Sequence, residues 1–144
     1  MSGFDALRPE TQLCFPLYAA SREAVKRYRP FLDALGLTYT QYITLLALWQ
    51  ESPLSVKALG SRLYLDSGTL TPVLKSMERD GLLRRRRSET DERVVLVTLT
   101  DAGEAMREKA ASLSPGVLPS LPLDADEAAA LRRLLRKILD PNTV

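Results

Sequence analysis

"LSVKALGSRLYLDSGTLTPVLKSMERDG", residues 54–81, holds two short helical patterns separated by a break. Ser55 is the expected N-cap of the first, in which Val56, Leu59 and Leu63 fall on one face. After a tight break at "LDSG", Leu70, Val73, Leu74 and Met77 make an inward stripe, while Thr71, Lys75, Ser76 and Arg79 face away. Gly81 is placed to end this second helix as a left-handed cap.

Immediately downstream, "LLRRRRSETDERVVLVTLT", residues 82–100, changes period. "VVLVTLT" is β-branched and strand-like and "RSETDER" is a polar turn, which predicts a β-hairpin with a long, charged tip. Helix, short helix, turn, helix and hairpin is the order of a winged helix-turn-helix, so the predicted fold class is mainly α with a small β-hairpin wing. In such motifs the second helix of the pair lies in the major groove of DNA and reads base edges with its exposed N-terminal half. Here that half offers Ser67, Thr69, Thr71 and Lys75. The hairpin carries Arg84, Arg85, Arg86, Arg87 and Arg93 against Glu89, Asp91 and Glu92. That local excess suits a phosphate backbone, with one arginine left for the minor groove.

Outward from this centre, "LTYTQYITLLALWQ" (37–50) opens with Thr38 three residues before Gln41, a capping-box spacing, and then becomes almost wholly apolar, as a buried central helix requires. Pro9 suits a first helical turn and Pro30 ends or kinks a helix, so one long amphipathic helix is expected over Pro9 to Arg29. Thr100 and Asp101 open another helix that runs to about Ser112, and "DADEAAALRRLLRKILD" (124–140) closes the chain as a last helix, with Asp124 and Glu127 at capping-box spacing. Between them "LSPGVLPSLPL" (113–123), with three prolines and a glycine, reads as a rigid connector.

Composition narrows the chemistry. The 144 residues fit one domain, and with no histidine the chain lacks the usual general base near neutral pH and the commonest metal ligand, so hydrolases and zinc sites are poor readings and no metal or cofactor is expected. A net charge of +2 is too small to argue for nucleic acid by itself; the clustering of arginines has to do so. No apolar run exceeds five residues and the first ten residues do not form a secretory signal, so neither a membrane nor export is expected and the cytoplasm is the predicted compartment. The single cysteine, Cys14, is then expected as a free thiol.

From first helix to last, the chain resembles the MarR family of dimeric transcription regulators. The wing "DERVVLVTLTDAG" (91–103) is similar to that family's wing motif, which places Arg93 in the minor groove, held by Asp91 or Asp66. Within the family, "QLCFPLYAASR" (12–22), "LTYTQY" (37–42) and "LYLDSGTLTPVLK" (63–75) resemble the OhrR branch, repressors that sense organic hydroperoxides. The resemblance implies a single domain over 1–144, with about 9–35 and 101–144 as dimerisation helices around a winged helix-turn-helix at about 38–100. It also implies that Cys14 is the peroxide-reactive thiol and that Tyr28 and Tyr39 hydrogen-bond its thiolate. The expected partners are a second copy of the chain, an inverted-repeat DNA operator, an organic hydroperoxide and a small cellular thiol.

The spacing of the first helix constrains this arrangement. Cys14, Tyr18, Val25 and Tyr28 lie on one stripe, but fourteen residues of helix extend about 21 Å, so Tyr28 does not reach the Cys14 of its own chain. Antiparallel packing of two first helices about a two-fold axis would bring Tyr28 of one protomer to Cys14 of the other. Tyrosine hydroxyls donating to sulfur favour the thiolate, the nucleophilic form. Two residues depart from the branch pattern. Pro16 lacks an N–H and would leave the Gln12 carbonyl unpaired, which predicts a kink beside the thiol. Thr40 stands where proline is common, and either suits a helix start. Two further functions fit parts of the sequence. One is a regulator of the same fold that binds a small aromatic ligand, with an incidental cysteine. The other is a thiol peroxidase, for which the chain offers no resolving cysteine and no use for the arginine hairpin.

Overall fold

The computed structural model describes residues 2–117 and 121–140. Among the described residues seven α-helices and three short strands follow in order: α1 Cys14–Arg27, α2 Arg29–Leu35, α3 Tyr39–Gln50, β1 Leu54–Ser55, α4 Val56–Leu63, α5 Ser67–Arg79, β2 Leu83–Arg87, β3 Val95–Leu99, α6 Asp101–Val117 and α7 Ala125–Leu139. The fold is a winged helix.

The punctuation of the central elements follows local chemistry. Thr38 and Gln41 form a reciprocal capping box at the start of α3. Ser55 caps α4 by accepting from the Ala58 N–H, and Asp66 caps α5 by accepting from the Thr69 N–H. The turn between α4 and α5 is tighter than the expected break. Tyr64 adopts the left-handed region (φ 55°) and α5 begins directly at Ser67. A Cβ at Gly60 would come within 2.8 Å of the Leu65 carbonyl oxygen, so glycine there lets the chain fold back onto α4. Gly81 (φ 79°) ends α5 in a Schellman arrangement, its N–H donating to the Glu78 carbonyl and that of Leu82 to the Met77 carbonyl.

Leu59, Leu70, Leu74 and Met77 are fully buried or nearly so, and they pack with Phe31, Leu45, Leu48, Leu83 and Val97 into one core. Val73, expected to face inward, is only half-buried. Ser76, expected to face outward, is half-buried and accepts a hydrogen bond from the buried Gln41 side chain at 2.8 Å. The stripe alone does not reveal this, because α3 covers more of α5 than the apolar residues of α5 mark.

Four sequence expectations are corrected here. The stretch expected as a single helix over Pro9 to Arg29 is instead a 3-10 turn, Pro9–Thr11, followed by α1 from Cys14 to Arg27, with Arg29 opening α2. Pro16 explains the late start. A helix that included Gln12 would set the proline ring against the Gln12 carbonyl, whereas at the third position of α1 a missing N–H costs nothing. The predicted kink is absent for the same reason, and α1 runs unbroken to Arg27. The hairpin gains a third strand, since Leu54 and Ser55 pair antiparallel with Val97 and Leu96, giving the order β1-β3-β2. Finally, α6 extends to Val117, into the segment expected to be a connector, of which residues 118–120 lie outside the described residues.

The indole N–H of Trp49 donates to the Gly103 carbonyl at 2.9 Å, which ties α3 to α6. A Cβ at Gly103 would run into the Leu82 carbonyl oxygen, so only glycine permits α6 to approach so closely. By contrast α1 and α7 hold no buried residue. Leu13, Phe15, Leu17, Tyr18 and Val25 are exposed in and beside α1, as are Leu131, Leu134, Ile138 and Leu139 on α7. Among the described residues no single helix is long and apolar enough to span a membrane.

Candidate DNA-reading face and thiol site

The N-terminal half of α5 is held to the core by Leu70, and its other face is open. Ser67, Thr69 and Lys75 are exposed and Thr71 is half-exposed, so each presents a donor outward. Asp66 holds the start of this helix, and the Thr69 N–H on its carboxylate keeps it below the usual aspartate range. It therefore serves the helix cap and not Arg93. Asp91 takes the arginine instead: Nε of Arg93 lies 3.2 Å from Asp91 Oδ1 and Nη2 lies 3.3 Å from Oδ2, a two-point grip on a side chain 90% exposed. The same carboxylate accepts from the Arg93 backbone N–H, and these donors hold it below its ordinary range. The carboxylate thus aims the guanidinium from the tip of the wing.

The arginine run does not act as one patch. In a strand successive side chains alternate between faces. Arg85 falls on the side of β2 that packs on the core, pairing with Glu78 at 3.1 Å, and with Arg93 it lines an open groove shared with Ser67 and Thr71 of α5. Arg87 is exposed near the tip, where it donates to the Glu92 carbonyl at 2.7 Å. Arg86 lies on the opposite face, in a separate recess with Arg84 and Thr98. The recognition helix, Arg93 and Arg87 are therefore positioned together at the groove and wing tip, and Arg86 is set behind them.

Cys14 is exposed at the first residue of α1, and Tyr18, one turn on, is exposed with the Arg22 guanidinium 5.6 Å over its ring. Tyr28 caps the far end of the same helix, about 21 Å away by helical rise. There it meets Tyr39, with ring centroids 5.3 Å apart and edge-to-face at 69°. The two tyrosines implied by the resemblance are thus brought together, while Cys14 and Tyr18 lie at the other end of the helix. Tyr42 and Phe31, absent from the sequence expectation, complete the cluster: Tyr42 lies 6.0 Å from Tyr28 and 5.2 Å from Phe31. The signal for Tyr42 was its place three residues after Tyr39, which puts both on one helical face. Burial, followed by the neighbouring Tyr28 phenol, pushes Tyr39 above the ordinary tyrosine range, and the same causes raise Tyr42. Both therefore keep the phenolic proton at neutral pH.

Known proteins resemble this chain in sequence and in fold. The transcriptional regulator SarA/Rot family matches residues 26–110. The organic hydroperoxide resistance transcriptional regulator of Bacillus subtilis (strain 168) is 48% identical over 137 residues, which covers 95% of this chain and 93% of that protein. The structure of reduced AbfR bound to DNA superimposes with a TM-score of 0.79 at 34% identity, over 95% of this chain and 96% of that one. AbfR is a Staphylococcus epidermidis protein. A mutant MarR from Escherichia coli complexed with operator DNA gives a TM-score of 0.82 at 27% identity, over 97% of this chain and all of the other.

Proposed function

The chain belongs to the MarR/SarA family of transcriptional regulators, in its organic-hydroperoxide branch, and from that premise we propose that it is a homodimeric repressor that leaves its DNA when Cys14 is oxidised. The observation that carries this reading is the separation of the thiol from the tyrosines along one helix. Cys14 stands at the start of α1 and the Tyr28–Tyr39 pair at its end, on a helix that buries nothing within its own chain. Two α1 helices packed antiparallel satisfy both facts: they cover the apolar face and bring each Cys14 to the partner's tyrosine cluster. The stretches about 9–35 and 101–144 accordingly form the dimer, and about 38–100 the DNA-reading unit.

In the reduced state α5 enters the major groove with Ser67, Thr69, Thr71 and Lys75, and Arg93, held by Asp91, enters the minor groove. Arg87 and, from the other face of the wing, Arg86 meet phosphates. Two-fold symmetry makes the operator an inverted repeat in cytoplasmic DNA.

Tyr28 and Tyr39 donate to the sulfur and favour the thiolate, and the free N–H groups at the start of α1 favour an anion there. The thiolate attacks the terminal oxygen of an organic hydroperoxide. An S–O bond forms as the O–O bond breaks, Cys14 becomes a sulfenic acid, and the alcohol leaves after gaining a proton. With no second cysteine in the chain, a small cellular thiol then condenses with the sulfenic acid, releasing water and leaving a mixed disulfide. The added group does not fit beside Tyr18, Tyr28 and Tyr39, so the helices shift and the recognition helices leave their half-sites.

Cys14→Ser is the direct test. In a gel shift with a duplex selected by the reduced protein, the variant is expected to bind as wild type does and to stay bound when cumene hydroperoxide and cysteine are added. Release of the variant by peroxide would end this reading.

A further inference from the structure

Gln41 and Ser76 connect the tyrosine cluster to the recognition helix, and we infer that this pair transmits the oxidation state of Cys14 to the DNA-reading face. The inference rests on the redox-repressor reading above.

Gln41 and Thr44 are the buried polar side chains among the described residues, exposed by 8% and 0%. Thr44 is satisfied within its own helix, its hydroxyl donating to the Thr40 carbonyl. Gln41 is not. Its Oε1 accepts from the Thr38 N–H at 3.0 Å, and its Nε2 donates at 2.8 Å to Ser76 Oγ, across 35 residues of sequence. Ser76 in turn donates to the Val73 carbonyl at 3.2 Å. A continuous polar chain therefore runs from the first turn of α3 to the backbone of α5. Among the described residues no other hydrogen bond joins these two helices.

The placement of both ends matters. Tyr39 and Tyr42 flank Gln41 on the first turn of α3, so whatever displaces the tyrosines acts on the turn that carries the link. Ser76 follows Lys75 directly and lies on the same helix as Ser67, Thr69 and Thr71. Apolar side chains slide past one another with little directional preference, whereas a hydrogen bond tolerates only a narrow range of length and angle. When the start of α3 moves, α5 either follows it or gives up the bond and leaves the buried Gln41 amide N–H unpaired. Two discrete arrangements result, as a switch requires. Gln41 and Ser76 touch neither the thiol nor DNA in this scheme, so they act as coupling residues.

The experiment compares wild type, Ser76→Ala, Ser76→Thr and Gln41→Met by fluorescence anisotropy on a duplex selected from a random pool by the reduced wild-type protein. Each is measured before and after cumene hydroperoxide plus cysteine, with Cys14 modification followed by mass spectrometry. Wild type is expected to lose affinity by about tenfold or more on oxidation, in the ordinary range of allosteric coupling. Ser76→Ala and Gln41→Met are expected to be modified at the wild-type rate and to bind DNA normally when reduced, yet to lose less than about threefold on oxidation. Ser76→Thr, which keeps the hydroxyl, is expected to release as wild type does. Full release by Ser76→Ala overturns the link and leaves the repressor reading intact. Failure of Ser76→Thr to restore release also overturns it, since packing rather than the hydroxyl would then be responsible. Retention of DNA by the oxidised wild type overturns the repressor reading and this inference with it.

Discussion

Tyr39 owes its usefulness to where its ring is held. Half-buried against Tyr28 and pushed above the ordinary tyrosine range, its hydroxyl keeps its proton and is free to donate to an anion. A hydrogen bond to a charged group contributes about 1.5–3 kcal/mol, so removing one from a thiolate lowers the reactive fraction by roughly tenfold or more. Tyr28→Phe and Tyr39→Phe keep the rings and delete the hydroxyls. Each is therefore expected to slow the reaction of Cys14 with cumene hydroperoxide by about that factor, read as the rate of thiol loss, while the reduced protein binds DNA normally. Wild-type rates in both variants would make the tyrosines core residues and no more. Cys14 shows the limit of a single residue: exposed at a helix start, it stands a full helix away from the Tyr28–Tyr39 pair of its own chain.

Among the elements, the wing sorts its charges by strand alternation. Arg85 is occupied by Glu78, Arg87 by the Glu92 carbonyl and Arg93 by Asp91. Arg93 is 90% exposed, and its two-point contact with Asp91 restricts its orientations before DNA arrives. Arg93→Ala is expected to weaken binding of the reduced protein by about 1–3 kcal/mol and to reduce its salt dependence, measured by titrating the duplex at several salt concentrations. Unchanged affinity would exclude the wing tip from the DNA contact. The third strand supports this arrangement: β1 pairs with β3 and ties the base of the wing to Ser55, the cap of α4.

At the scale of the whole molecule, the chain divides into a closed core and two open helices. Residues from α2 through α6 and the sheet supply the buried set, whereas α1 and α7 present Phe15, Leu17, Leu134 and Ile138 to the outside. Apolar stripes of this kind are covered by a partner of the same kind when the oligomer is a two-fold dimer. Sedimentation of the wild-type protein is expected to give a dimer. Ile138→Glu, which places a charge on the α7 stripe, is expected to shift it toward monomer and to abolish binding to an inverted repeat while leaving the core folded by circular dichroism. A variant that stays dimeric would move the interface away from α7.

Much of this architecture was written locally. The caps at Thr38, Ser55 and Asp124, the left-handed Gly81 and the strand-like "VVLVTLT" each depend on a few neighbouring residues, and such signals are complete in the sequence. The candidate thiol rests on the resemblance to the OhrR branch, and helical spacing adds only that Cys14 and Tyr28 stand too far apart on one helix to meet within a chain. Contacts between distant segments were not legible in the sequence. Where α1 begins depended on how Pro16 would be accommodated, and the proline that seemed to kink the helix instead marks its first turn. Only packing of α2 against α3 joined Tyr42 and Phe31 to Tyr28, and only packing of α3 against α5 turned Ser76 from an outward residue into the partner of Gln41. Periodicity identifies which face of a helix is apolar; which neighbour covers a polar edge of that face is settled by tertiary contact, since a buried amide must find its partner wherever the fold brings one.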